Sequence, residues 1–163
     1  MKIFLSALEA SPEFYNIDQN ISKYKYNLMS FYYIKNKYEI AERIREKSEL
    51  VIIDSGAHSF QKGVKVDFDE FAEKYCEFIR KFARENVLGY FELDVDNIIG
   101  YDRVLELRKK LERVSNKIIP VWHKNRGIED YKRDMAPVFG NRYIRGMALA
   151  TPTKELKNYD GYL

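Results

Sequence analysis

The chain has 163 residues, which is enough for one domain with a substantial core. Hydrophobic residues make up 45% and charged residues 33% of it. That balance is typical of a soluble globular protein, and no stretch approaches the roughly 18 apolar residues of a membrane span. The net charge of +3 does not distinguish a nucleic-acid substrate from a small metabolite. Without a membrane span we expect a cytoplasmic protein with no membrane partner, and the lone Cys76 agrees, because it cannot form an internal disulfide.

Short apolar runs alternate with amphipathic stretches from the first residues onward. Residues 2–5 are predicted as a first strand, and the aromatic run 26–34 is compatible with either a strand or a helix. Residues 37–47 have the spacing of an amphipathic helix. The apolar run 50–53 follows, and we expect it to be a buried strand.

The clearest helix is predicted over residues 67–84, whose apolar residues recur at helical spacing. Asp67 and Glu70 have the spacing of a capping pair at its first turn. A strand is predicted over 87–93 and a further helix over 101–114.

Strands and helices continue to alternate toward the end of the chain. We expect strands at 117–122 and 142–144, a short helix at 128–135, and the start of another helix at 152–156. Strands alternating with helices of this length predict parallel β-α-β units within a single α/β domain.

Ionisable residues fall at the ends of four consecutive predicted strands. Asp54 follows the first of them, Asp94 the second, His123 the third and Arg145 the fourth. Both barrels and open α/β sheets place their active sites at the carboxyl ends of parallel strands. We therefore expect these side chains to converge on one rim.

Each of these residues also has a purely structural interpretation. Asp54 has the position of a residue that caps the following turn, His123 that of a hydrogen-bonded loop histidine, and Arg145 that of a solvated surface charge. A hard cation between Asp54 and Asp94 is compatible with the sequence, but the spacing does not require it. Both histidines and the single cysteine together do not make a recognisable zinc site.

Several motifs resemble the tRNA-guanine transglycosylase family. The segment 54–60, Asp-Ser-Gly-Ala-His-Ser-Phe, is similar to the family's Asp-Ser-Gly-Gly-aromatic segment, and closer to the version in phage and bacterial relatives that insert 7-deazaguanines into DNA. Residues 93–96, Leu-Asp-Val-Asp, resemble the family's second base-reading aspartate. Residues 119–123 with 127–129 resemble its middle strand and loop, and 143–146 resemble a strand that ends in a glycine pair, with Arg145 replacing the first glycine.

The resemblance implies a role for each matching residue. Asp54 would be the general acid/base, with Ser55 and Gly56 beside the purine. Asp94 would accept hydrogen bonds from the guanine edge, whose N1 and exocyclic amine are donors. His58 would occupy the position of a stacking aromatic, and the loop at His123 and the backbone of Gly146 would complete the contacts to the base.

The fold implied by the resemblance is a (β/α)8 TIM-type barrel, of which residues 1–163 would form roughly the first five strands. The family's nucleophilic aspartate and zinc site lie in the later part of the barrel, so they would fall beyond Leu163, and no cofactor is expected within this chain. A complete barrel typically needs roughly 250 residues. We therefore expect a homo-oligomer or a complementary C-terminal half as a partner, because an incomplete barrel leaves strand edges open.

The function implied is exchange of guanine or a 7-deazaguanine in tRNA or DNA. Such an exchange breaks an N-glycosidic bond, in that family through an aspartate nucleophile and a covalent sugar intermediate, and the target base must leave the stack. Two alternatives remain open: a non-catalytic relative that binds a purine or nucleic acid, and an unrelated α/β hydrolase or lyase that uses Asp54, Asp94 and His123.

Overall fold

Five parallel strands form one sheet in the computed structural model, which describes residues 2–10, 25–60 and 65–140. The strands are β1 (Leu5–Ser6), β2 (Tyr26–Ser30), β3 (Leu50–Asp54), β4 (Val87–Phe91) and β5 (Ile118–Ile119). The helices are α1 (Phe31–Ile34), α2 (Tyr38–Glu46), α3 (Phe68–Phe82), α4 (Asp96–Ile99), α5 (Tyr101–Glu112) and α6 (Gly127–Gly140). The chain divides into two compact units, residues 1–119 and 120–163, and each is described by itself.

The strands follow one another across the sheet in the order in which they occur in the chain, and every neighbouring pair is parallel. A doubly wound sheet reverses its strand order at a switch point, and no reversal occurs between β1 and β5. Crossovers that are right-handed and always move in one direction place their helices on the same face of the sheet. The fold is therefore mixed α/β with a barrel-like strand order, as the alternation of strands and helices predicted.

Burial alternates along the two central strands. In the register of β2 and β3, Met29 lies opposite Ile53 and Leu28 opposite Ile52. Met29 and Ile53 are fully buried, whereas Leu28 and Ile52 are half-buried. Because successive side chains of a strand point to opposite faces, one face of the sheet packs into the helical core. The more open face is also apolar.

The aromatic residues of α1 and α3 hold the helical layer to this buried face. Phe31 is 1% exposed, and its ring stacks on Tyr75 with the centroids 4.6 Å apart. Helix α3 begins as its sequence predicts, because the Asp67 carboxylate accepts hydrogen bonds from the Asp69 and Glu70 backbone N–H groups. The Glu70 carboxylate accepts one from Lys74. Cys76 is buried in this helix, which agrees with a structural role.

The aromatic run 26–34 contains both a strand and a helix, which its composition alone left open. Alternating burial continues to Ser30, where β2 ends. Phe31 and Ile34, three residues apart, are then the buried residues of α1, and this is helical spacing. The change of period from two to three residues therefore marks the boundary.

Other boundaries differ from those predicted. β5 covers Ile118–Ile119 rather than 117–122, since Pro120 has no N–H to continue the ladder. β4 ends at Phe91 rather than at residue 93, and α6 is longer than the predicted 128–135. The elements predicted at 142–144 and 152–156 lie outside the described residues. No described helix has the length and apolarity needed to cross a bilayer.

A buried ion pair ties α5 to the residue that follows β4. Glu92 is 1% and Arg108 7% exposed. The Arg108 guanidinium donates to both carboxylate oxygens, from Nε at 2.5 Å and from Nη2 at 3.0 Å. Two parallel bonds of this kind fix the geometry of both side chains. The pair therefore fixes the direction in which the chain leaves β4.

We expect Arg108→Met to lower the free energy of unfolding by about 3–5 kcal/mol, because it leaves the Glu92 charge buried without its partner. The double variant Glu92→Met/Arg108→Met should recover most of this loss, since no buried charge remains. Arg103→Met is the matched control, because Arg103 forms its ion pairs at the surface with Asp69 and Glu106, and its effect should be small. Urea unfolding measures all three, and equal losses in the two single variants would contradict the expectation.

Candidate functional site

Asp54 is the last residue of β3 and lies at the carboxyl edge of the sheet. It is half-buried, and its Oδ2 accepts a hydrogen bond from the Gly56 N–H at 2.9 Å. This contact caps the turn that follows β3, which is the purely structural role expected for Asp54. It also fixes the orientation of the carboxylate at the edge where α/β proteins bind ligands. The structural role and a functional role are therefore compatible for this residue.

Gly56 is required by both its backbone and its surroundings. Its φ is +81°, in the region that favours glycine. A Cβ built on it would lie 2.3 Å from the Tyr32 Cβ and 2.6 Å from the Ser30 Oγ. The Tyr32 ring is held in turn by an edge-to-face contact with Phe60, with the centroids 5.4 Å apart. The turn after β3 therefore packs tightly against the end of β2 and the start of α1.

Glu9 places a second carboxyl group beside this turn. It lies in a 3-10 turn, Leu8–Ala10, after β1 and is only 2% exposed. Its Oε1 accepts a hydrogen bond from the Ser30 N–H at 2.7 Å, and Ser30 is the register partner of Asp54. Burial raises the pKa of Glu9, and the nearby charge of Asp54 raises it further.

Three buried polar atoms near this edge have no hydrogen-bond partner within the described ranges. They are Glu9 Oε2, Ser30 Oγ and Ser55 Oγ. Buried polar groups in native proteins are nearly always hydrogen-bonded, and exceptions cluster where a ligand or an ordered water binds. Residues after β1, at the end of β2 and after β3 thus provide hydrogen-bonding capacity that the described protein groups leave unused.

Tyr75 connects the ends of β3 and β4 from the helical side. Its hydroxyl lies 3.1 Å from the Phe91 carbonyl oxygen and 3.4 Å from the Ile53 carbonyl oxygen. Complete burial, together with the charge of Asp54, raises the pKa of Tyr75 well above its ordinary value. The hydroxyl therefore keeps its proton and donates to both strands. Its contacts lie next to Asp54 in β3 and at the end of β4, from which the segment that carries Asp94 continues.

Asp94 and Asp96 follow β4 at the same edge of the sheet. Both are half-buried, and a carboxylate oxygen of one lies within 4.8 Å of a carboxylate oxygen of the other. Paired carboxylates are suited to accepting hydrogen bonds from donors and to binding a hard cation. Asp54 belongs to no group of three metal-ligating side chains among the described residues.

The other predicted site residues have different outcomes. The backbone of His58 lies in a 3-10 turn, Ala57–Phe60, and its side chain lies outside the described part of the structure. His123 belongs to the second unit, where its carbonyl oxygen accepts a hydrogen bond from the Arg126 N–H. Arg145 and Gly146 lie outside the described residues. The convergence of His123 and Arg145 on the rim, and the contacts of His58 and Gly146 with the base, therefore remain predictions.

Sequence reasoning missed Glu9, Ser30 and Tyr32 as neighbours of Asp54. Glu9 lies before the first predicted strand end that carries a candidate residue, and Tyr32 lies in the aromatic run 26–34, whose composition indicates a strand or a helix but no site. A usable signal was the position of Ser30 at the end of an apolar stretch, which is where the other candidate residues were found.

Comparisons of this chain with protein-family models, with curated proteins and with solved structures found no match. The functional interpretation therefore depends on the residues themselves and on their geometry.

We expect Gly56→Ala to destabilise the protein more than Gly100→Ala does. Gly100 shares a positive φ of +82° but has open space where a Cβ would lie, so its variant measures backbone strain alone, about 1–3 kcal/mol. Gly56→Ala adds overlap with Tyr32, which is worth on the order of 1–3 kcal/mol more. Urea unfolding of both variants measures the difference, and equal losses would show that the packing around Gly56 is loose.

Proposed function

We propose that this chain is a base-recognition domain of the tRNA-guanine transglycosylase type, built as part of a (β/α)8 barrel. The observation that carries the proposal is that Asp54 ends β3, Ser55 follows it, and Asp94 comes three residues after the neighbouring parallel strand β4. The segments of the transglycosylase family that these residues resemble occur in the same order along the chain. The sequential parallel strand order supports a barrel over a doubly wound sheet.

The residue types suit a guanine or 7-deazaguanine ring. Its N1 and exocyclic amine present hydrogen-bond donors, and the carboxylates of Asp94 and Asp54 are acceptors. In the proposal Asp94 accepts from this donor edge, while Asp54 handles the proton of the base as general acid/base. Ser55 follows Asp54 in the chain, and its buried hydroxyl has no protein partner within the described ranges.

The substrate we propose is a nucleic acid, tRNA or DNA, whose target base is extruded from its stack before it reaches the edge of the sheet. His58, His123 and Gly146 would complete the contacts to the base by resemblance alone. Carboxylates at this edge can also serve a hydrolase or lyase, but the resemblance carried by segment 54–60 favours recognition of a purine ring.

We expect Asp94→Asn to weaken binding of guanine and 7-deazaguanine derivatives by about 5- to 150-fold. An amide presents a donor where the carboxylate was a pure acceptor, and each good bidentate contact to a base is worth roughly 1–3 kcal/mol of discrimination. The measurement is calorimetric titration of the full chain. Asp102→Asn is the matched control, since Asp102 is an exposed carboxylate on α5, and it should bind as the wild type does. Equal affinity in all three proteins would remove Asp94 from the role, and absence of binding to the wild type would contradict the proposal.

Base exchange, as distinct from binding, requires the proton-handling group. If the chain catalyses exchange, Asp54→Asn should lower the incorporation of labelled guanine into tRNA or DNA by about 10²- to 10⁴-fold, the usual contribution of a general acid/base. Purine affinity should fall far less. Incorporation that persists in Asp54→Asn would assign the proton transfer to another group, whereas binding without incorporation in the wild type would identify a non-catalytic relative.

A further inference from the structure

We infer that Glu9 is a positioning residue of the Asp54 site, a neutral carboxylic acid that holds the end of β2 and leaves Asp54 as the charged member of the pair. The geometry that supports this is the 2.7 Å hydrogen bond from the Ser30 N–H to Glu9 Oε1. Ser30 lies opposite Asp54 in the strand register, so the contact fixes the strand end adjacent to the candidate acid/base.

The surroundings of Glu9 favour its protonated form. An ionised carboxylate that is 2% exposed needs several donors to offset its desolvation. Two backbone N–H groups, those of Ser30 and of Glu9 itself, stabilise the charge and lower the pKa of Glu9, but burial outweighs them and raises it. Of the charged side chains that act on it, Asp54 raises the pKa of Glu9 and Lys37 lowers it by a lesser amount.

The second carboxylate oxygen of Glu9 leads to the same conclusion. Oε2 is buried and has no hydrogen-bond partner within the described ranges. A protonated carboxyl oxygen carries far less charge than a carboxylate oxygen. Burying it without a hydrogen-bond partner therefore costs less free energy. Oε2 is therefore the natural site of the proton, while Oε1 accepts from Ser30.

The backbone before Glu9 shows that its position is enforced. Ala7 has a φ of +72° and is the one residue other than glycine with a positive φ in the described part of the chain. L-residues avoid this region, and such outliers persist where the surrounding structure over-determines them. The unusual turn lies between the exposed β1 and the 3-10 turn that buries Glu9.

Two carboxyl groups with opposed environments take different protonation states, which is how acid and base roles become separated in enzymes. Asp54 is half-buried and accepts a hydrogen bond from the Gly56 N–H, which suits an ionised acceptor. The consequence for base exchange rests on the proposed function: with Glu9 neutral, the site presents the charge of Asp54 without a second charge that would oppose it.

The test is a pH titration of the Glu9 side-chain carbonyl carbon by NMR in the wild type, Asp54→Asn and Asp102→Asn. We expect Glu9 to titrate above the ordinary 4.5 of a glutamate. In Asp54→Asn its midpoint should move down, because the neighbouring negative charge is gone, whereas in Asp102→Asn it should stay. A midpoint at or below 4.5, or one that does not respond to Asp54→Asn, overturns the inference. Neither measurement involves a purine, so the result is independent of whether the proposed base binding holds.

Glu9→Gln provides a second test that does not depend on how well Asp54→Asn folds. A raised pKa means that the folded wild type binds more protons than the unfolded chain above pH 4.5, so its free energy of unfolding falls as pH rises through the interval between the unfolded and folded pKa values. Glutamine resembles the neutral acid and cannot ionise, so this part of the slope should be lost. Identical slopes in urea unfolding of Glu9→Gln and the wild type would show that the pKa of Glu9 is not raised on folding, and the inference would fail.

Discussion

All five described strands run in the same direction, and the rest of the structure follows from that constraint. Parallel neighbours cannot be joined by tight turns, so a connection between them must return along the sheet, most often through a helix. Each strand then delivers its carboxyl end to one edge. Asp54 and Asp94 lie there because β3 and β4 are parallel neighbours, and they would lie at opposite edges if the pair were antiparallel.

Helix α3 keeps these two strand ends in place. Its apolar side buries Tyr75 against the sheet, and the hydroxyl of this residue reaches the carbonyl groups of Ile53 in β3 and Phe91 in β4. On α5, Arg108 holds Glu92, the first residue beyond β4. The Asp94 segment therefore leaves the sheet from a point fixed by two helices. A loop that starts from so rigid a base is suited to positioning a side chain for recognition.

How much of this could be predicted depends on whether the signal was local. The stripe from Phe68 to Phe82 and the cap at Asp67 lie within one helix, so its start and end follow from spacing and capping chemistry. The placement of Asp54 and Asp94 after strands was equally readable. The contact of Glu9 with Ser30 joins residues 21 positions apart in the chain, and no periodicity encodes such a pair. The truncation of β5 at Pro120 was readable in principle, because proline cannot extend a ladder.

The site also shows why residue type alone does not assign chemical roles. Glu9 and Asp54 carry the same functional group, and a sequence pattern treats them alike. Burial separates them: the carboxyl group of Glu9 is removed from water and accepts from the Ser30 N–H, whereas the half-buried Asp54 remains in reach of solvent and of a ligand. Because desolvation penalises only the charged form, the deep burial of Glu9 raises the pKa of its carboxyl group. The turn that contains Ala7, with its positive φ, lies directly before this buried group. Two carboxyl groups at one edge of a sheet can therefore differ in chemistry through burial alone.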